Sequence, residues 1–326
     1  MFKHLPKKVL LTLASLTLAG IASLIFSLSQ GSLELSGLAL WQAFSDGEHP
    51  YHMLLTELRL PRSLSAFAVG GLLALAGALM QTLLRNPLAD PYILGLSGGA
   101  SVGALIAIGA GAGGFWISSG SFIGALFSML LVFSLAHGQG SWTTTRLLLT
   151  GVVVASGWGA VISFLLATSA DNSLRGMLFW LMGDFSHIPS PTIPFLTLVI
   201  ALACCVPLAR QLSILSRGEL QAQNLGINVS RLRWLIYIGA SLLTAIAVTH
   251  AGSIGFIGLV VPHLVRLAVG NDQRILLPAS VLLGGALLTC ADTLSRTLLA
   301  PQQLPVGVLT ALLGVPVFLY LLRRAR

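Results

Sequence analysis

The chain has 326 residues, of which 55% are hydrophobic and only 9% charged, with 18 Lys+Arg against 10 Asp+Glu. A soluble domain carries about 25% charged residues to solvate its surface. This composition therefore excludes an ordinary cytosolic enzyme, a disordered chain and, because its net charge of +8 is too sparse to track phosphates, a nucleic-acid binder. The mean hydropathy of +0.90 is that of a polytopic membrane protein.

The only lysines are Lys3, Lys7 and Lys8. A phosphate-binding P-loop needs a lysine after its Gly-rich turn, so any ATP-driven motor must lie on another chain. The three cysteines, Cys204, Cys205 and Cys290, fall in apolar stretches and read as small buried hydrophobes with no disulfide or metal role.

A membrane span needs about 20 apolar residues. Residues 9–28 qualify and follow a basic start. The rival is a cleaved signal peptide, but the apolar run exceeds the ~7–15 residues of such segments and no small-residue cleavage site follows, which favours a retained helix. Residues 29–52 are polar and read as a loop. Residues 64–84, with an earlier start possible, form a second span, broken by Arg85, Asn86, Pro87 and Pro91.

Residues 93–110 are Gly-rich and weakly hydrophobic, which predicts a span buried by other helices. Further spans follow at 122–136 and 146–167, separated by a polar turn at 137–144. Residues 171–191 are too short and polar to cross and read as a short surface helix. Spans then fall at 192–208, 234–248, 254–268 (interrupted by Pro262 and His263), 275–288 (extending past Asp292 if it runs on) and 306–322. The expectation is an all-α polytopic membrane protein of about ten transmembrane helices, one domain over 1–326. Small-residue spacing in 70–78 and 95–103 allows close helix packing.

Charge orients this arrangement. With the N-terminus inside, 14 basic residues (Lys3, Lys7, Lys8, Arg85, Arg146, Arg210, Arg217, Arg231, Arg233, Arg266, Arg274, Arg323, Arg324, Arg326) are internal, and four (Arg59, Arg62, Arg175, Arg296) are external. Basic residues resist translocation, so both termini are expected to be cytoplasmic.

Several segments carry possible chemistry. Residues 212–227 are amphipathic at helical spacing (Leu212, Ile214, Leu215, Leu220) and end at Gly226 in a C-cap position. They read as a cytoplasmic helix–turn–helix that either inserts into a groove on a partner or is simply a solvated surface helix. Arg59, Arg62 and Arg296 are either headgroup snorkellers or docking points for an acidic external partner. Gly95-Leu96-Ser97-Gly98 fits a string of intramembrane serine proteases, with His250 or His263 as base, but four residues in a Gly-rich chain carry little weight. Neither histidine has a His or Cys at i+3 or i+4 to make a metal site. Asp292 is a proton-relay candidate, yet Arg296 at i+4 suggests a local pair.

Taken in order, Arg59-Leu60-Pro61-Arg62, Gly77-Ala78-Leu79-Met80-Gln81, Asn86-Pro87-Leu88-Ala89-Asp90-Pro91, Gly95-Leu96-Ser97-Gly98-Gly99-Ala100, Arg146-Leu147-Leu148-Leu149-Thr150-Gly151, Phe179-Trp180-Leu181-Met182-Gly183, Gly255-Phe256-Ile257-Gly258-Leu259-Val260-Val261-Pro262-His263 and Leu304-Pro305-Val306-Gly307 resemble the permease subunits of type II ABC importers for ferric siderophores, haem and cobalamin, the FecCD family. The resemblance covers nearly the whole chain. It implies the type II permease fold with ten helices, a homodimer around a central pathway, and two cytoplasmic ATPase subunits that carry the ATP and Mg. It also implies a periplasmic or tethered binding protein that delivers a metal chelate, in a bacterial cytoplasmic membrane. No cofactor is implied in this chain.

By the same resemblance, Ser216, Arg217, Gly218, Glu219, Ala222, Leu225 and Gly226 match coupling helices that dock on the ATPase. Arg59, Arg62 and Arg296 match positions that pair with acidic residues of the binding protein. Thr144 and Thr145, where the cobalamin type has Thr-Ser, match a cytoplasmic gate, and Asn86 and Leu88 a second one. An ion-coupled secondary transporter is the competing class; it predicts buried carboxylates paired across an inverted repeat, and no clear repeat is found.

Overall fold

The computed structural model describes all residues except 1–6, 32, 138–142, 187–189 and 325–326. Lys3, Arg326, most of the 137–144 turn and part of the 171–191 segment therefore lie outside the described residues. Those that are described form thirteen α-helices and no strand.

In order these are α1 (Lys7–Ser29), α2 (Gly37–Ser45), α3 (Leu60–Leu84), α4 (Leu96–Gly109), α5 (Gly114–Ala136), α6 (Thr144–Thr168), α7 (Asp171–Met182), α8 (Thr192–Leu215), α9 (Glu219–Asn224), α10 (Val229–Ala251), α11 (Ile257–Val269), α12 (Gln273–Thr297) and α13 (Val306–Arg324). A π-helical turn (Leu54–Arg59) leads into α3, and a 3-10 turn (Pro91–Leu94) precedes α4. Seven segments are long and apolar enough to cross a membrane, and α4, α11 and α13 are shorter apolar helices.

The elements differ from the sequence reading in two informative places and settle a third that it left open. The 29–52 loop contains α2, started by Ser36, whose hydroxyl accepts from Ala39 N (3.3 Å). α11 is not interrupted: it runs through Pro262. α12 continues through Asp292 to Thr297.

The core is built around α3, whose apolar window is 89% buried, against 11–28% for α1, α5, α6 and α8. α12, α10, α11, α8 and α1 pack around it. The outer helices carry their large apolar side chains outward, Val153 on α6 and Leu312 on α13 among them, as surfaces facing lipid or other subunits must. Cys204 is exposed and Cys205 and Cys290 are half-buried, which corrects the expectation of buried thiols; the α8 pair lies on a helix whose apolar face points largely outward.

Glycine sets the closeness of the packing. A Cβ at Gly70 would strike the backbone of Gly284, one at Gly99 that of Gly124, and one at Gly103 that of Gly120. Without a hydrophobic drive between helices in lipid, such close backbone approach supplies the packing energy. Gly77 is the sharpest case. Pro262 has no N–H to donate to the Gly258 carbonyl one turn earlier, and a Cβ at Gly77 would meet that oxygen. Beside it, Gln81 Nε2 donates to Leu259 O (3.1 Å). Gly77→Val must push α11 off α3, and overpacking costs about 1–3 kcal/mol or more. The expected result is a large loss of monodisperse protein in detergent size-exclusion chromatography, with Gly239→Ala, which has open space beyond it, unchanged.

Candidate functional site

Two ionic clusters lie at opposite ends of α3. Arg62 and Arg85 are 23 residues apart, roughly 35 Å at 1.5 Å per residue.

At the Arg85 end sits the α8–α10 connection. α8 ends at Leu215, and Ser216 Oγ donates to Ser213 O (2.8 Å). Gly218, at φ +148, reverses the chain into the six-residue α9. α9 closes on Gly226 (φ +77): its N–H donates to Gln223 O (2.9 Å) and the Ile227 N–H to Ala222 O (3.0 Å). These two bonds are a Schellman stop, which favours glycine at the left-handed position. Ala222 is fully buried and pins the short helix inward. Glu219 lies between Arg85 (3.7 Å) and Arg233 (3.6 Å), tying α9 to the ends of α3 and α10.

The amphipathic pattern divides differently from the sequence reading. Leu212 and Leu215 are buried in the core, whereas Leu220 and Leu225 are 75% and 66% exposed. The reason is the break at Gly218, which rotates α9 away from the buried stripe of α8. The result is an exposed apolar pair on a rigidly held turn. Arg217 is exposed and lines a small cavity with Arg210 and Arg274.

The gate candidates lie near the same end. Asn86 Oδ1 accepts from Leu88 N (2.9 Å), and Ala89 N donates to Asn86 O (3.1 Å), a compact turn after α3 that leaves Leu88 exposed. The Asp90 carboxylate accepts from Tyr92 N (2.7 Å) and caps the 3-10 turn; burial pushes its pKa up to about 6, against the lowering effect of that bond. Thr144 and Thr145 occupy the first turn of α6, where Thr143 is the cap, its Oγ1 accepting from Arg146 N (3.2 Å). Gly151 brings α6 against the Ile93 carbonyl in the 3-10 turn that follows the Asn86–Leu88 turn.

At the other end, the three arginines proposed for docking turn inward. Arg59 is 5% exposed. Its guanidinium donates to Leu28 O (2.6 Å), Ser29 O (3.4 Å) and Leu33 O (2.5 Å). Carbonyls at a helix C-terminus lack intrahelical donors and carry the negative end of the helix dipole, and Arg59 caps α1 there. Arg59 is thus engaged inside the chain and leaves little surface for the docking expected of it.

Arg62 Nε and Nη2 both bond Asp292, at 2.9 and 2.8 Å, and Arg296 Nε lies 3.3 Å from the same carboxylate. Arg296 Nη2 also donates to Ser27 Oγ (3.0 Å). Asp292 is 1% exposed, and Arg62 and Arg296 keep 17% and 11% of their side chains accessible. The i+4 pair foreseen for Asp292 and Arg296 therefore forms, but the stronger, bidentate partner is Arg62, 230 residues away.

Among the described residues, no hydrogen bond joins Ser97 to His250 or His263. His250 Nδ1 instead pairs with Ile246 O (2.9 Å). No group of three His, Cys, Asp or Glu side chains is placed to hold a metal among the described residues. Phe256, one residue before α11, adopts φ +70, a strained position for a residue with a Cβ. Its ring packs against Gly314. Only its place before a helix following Gly255 could have signalled this.

Fold and surfaces define a helical multi-pass membrane protein whose short α8–α10 turn exposes an apolar pair. The FecCD transport family matches residues 18–324, and the chain belongs to that family. It is 43% identical to the cobalamin import system permease protein BtuC of Halobacterium salinarum over 83% of this chain and 73% of that one. It is 41% identical to the hemin transport system permease protein HmuU of Yersinia pestis, over 92% and 91%. A solved inward-facing structure described as a metal-chelate type ABC transporter superposes with a TM-score of 0.84 at 30% identity, covering 97% of this chain and 99% of the other.

Proposed function

We propose that the chain is the membrane permease subunit of an ATP-driven ABC importer that takes up an iron chelate, haem or cobalamin. The observation that carries this reading is the family match along almost the whole length, with relatives named for cobalamin and hemin permeases. The lysine count supports a motor on a separate chain. The exposed Leu220–Leu225 pair supplies an apolar tip for an ATPase groove, and the Glu219 clamp carries its displacement directly to the ends of α3 and α10.

ATP binding closes the paired ATPases and moves α9. Because α9 is held to α3 and α10, that movement shifts the population between outward-open and inward-open states. The turn at Asn86–Leu88 and the start of α6 at Thr144–Thr145 act as the cytoplasmic gate. A second copy of the chain completes the pathway. The chain sits in a bacterial cytoplasmic membrane with α9 inside, in keeping with the basic residues gathered at that end.

A binding protein docks at the opposite end through the exposed edges of Arg62 and Arg296, whose cluster with Arg59 carries three positive charges against the single Asp292. Joint Arg62→Gln, Arg296→Gln and Asp292→Asn substitution, which removes the cluster's charges together and leaves no buried carboxylate unpaired, is expected to abolish capture of the binding protein in pull-downs while ATPase subunits still co-purify. Undiminished capture would place docking elsewhere.

The reaction-free character of the chain has its own test. Ser97→Ala is expected to leave uptake of radiolabelled chelate by cells within about twofold of wild type, because transport asks nothing of that hydroxyl. Complete loss in a well-folded variant would show that transport depends on the Ser97 hydroxyl, which this reading does not expect.

A further inference from the structure

Two adjoining cavities flank the α8–α10 connection, the larger walled in part by Leu225 and Gly226 of that turn and the smaller by Arg217. The larger, about 720 Å³, lies between α8 and α10. Leu208, Leu232 and Leu235 line its deeper part, and Arg210, Arg231 and Asn228 its rim. The smaller, about 310 Å³, shares Arg210 and Ile214 and adds Arg217 and Arg274. Its one acid, Asp272, already accepts from Arg274 N (3.0 Å) as the cap of α12.

Among the described residues, no carboxylate lies within 4.0 Å of the side chains of Arg210, Arg217, Arg231 or Arg274; the ion pairs at this end are Glu219 with Arg85 and Arg233. Four guanidinium groups around two joined hollows thus lack a counter-ion. Leu208 is seven residues before the end of α8, roughly 10 Å along the helix axis. The larger hollow therefore runs from the polar interface into hydrocarbon depth, on the outward faces of two spans. Arginines at such a rim extend their charged ends to the interface.

We propose that these joined cavities bind an anionic phospholipid, its phosphate held by Arg210 and Arg231 and one acyl chain lying against Leu208, Leu232 and Leu235. The chemistry matches on both counts: uncompensated positive charge at headgroup level and an apolar wall directly above it. Basic pockets between helices at this level are where anionic headgroups are held. An ATPase seated on Leu220 and Leu225 would cover the lower wall of the larger cavity, where Leu225 lies, and leave the wall of Leu208, Leu232 and Leu235 to the acyl chain. The site is independent of which chelate the chain carries.

Native mass spectrometry of the full chain, supplied with equal phosphatidylglycerol and phosphatidylcholine, tests this. The wild type is expected to retain phosphatidylglycerol in roughly tenfold or greater excess. Arg210→Gln with Arg231→Gln should bring the ratio close to one. Arg210→Lys with Arg231→Lys should preserve most of the excess, and Arg146→Gln, at the start of α6, should leave it unchanged. Size-exclusion profiles confirm that each variant is folded. Undiminished selectivity in the glutamine pair overturns the proposal, as does equal loss in the lysine pair. Displacement of the lipid by millimolar inorganic phosphate would overturn it in favour of a free-anion site. Displacement by the ATPase subunit would assign the groove to that protein instead.

Discussion

Leu220→Asp together with Leu225→Asp is expected to reduce ATP-coupled uptake by at least roughly tenfold while leaving the chain folded. Both side chains are largely exposed, so in the isolated chain the new carboxylates are solvated and cost little. Their turn is held by other means: the Gly226 stop, buried Ala222 and the Glu219 clamp. In the proposed assembly the same leucines enter an apolar groove, where each buried leucine would contribute about 1.5–3 kcal/mol. Two lost burials, plus desolvation of two carboxylates, exceed the ~1.4 kcal/mol that corresponds to a factor of ten. Co-purification of the ATPase and uptake in the same preparation check this. Both should fall together, and retention of both would show that the exposed pair does not contact the motor.

The second large effect is at Asp292. Asp292→Ala removes the carboxylate that, among the described residues, Arg62 and Arg296 share, and leaves two mostly buried guanidinium groups without their ion-pair partner next to Arg59. Breaking a buried pair from one side costs about 3–5 kcal/mol. The variant should therefore lose most of its folded, monodisperse fraction on mild heating in detergent. The double variant Asp292→Asn with Arg62→Gln removes both ends of the bidentate pair and should recover part of that loss. A double-mutant cycle isolates the interaction. If Asp292→Ala is as stable as wild type, the cluster is not what joins α12 to α3.

The spans were legible because hydropathy reports them directly. α13 begins at Val306 as expected, and α1 is wider than expected by two residues at one end and one at the other. α2 was missed because nine residues in a polar stretch cannot outweigh their surroundings; only Ser36 as a cap pointed to it. Pro262 read as a break, yet its missing donor falls on Gly258, whose carbonyl α3 approaches at Gly77, so the helix continues. That compensation is tertiary and invisible in one dimension.

The same holds for the arginines. Their cluster was legible as external charge, but the capping of α1 by Arg59 depends on where residues 28–33 fold back. The pairing of Arg62 with Asp292 depends on α3 and α12 lying side by side. The end of α9 was legible through Gly226, whereas the outward turn of Leu220 follows from the backbone break at Gly218.

The central claim is that this chain moves its substrate with energy from ATP hydrolysed on another subunit. The most direct measurement is uptake of radiolabelled cobalamin, haemin and ferric siderophore into proteoliposomes containing the chain. Partner ATPase and loaded binding protein are added or withheld in turn. The account predicts accumulation of one of these only when the ATPase and hydrolysable ATP are both present. Accumulation without the ATPase, driven by a proton or sodium gradient, would contradict it.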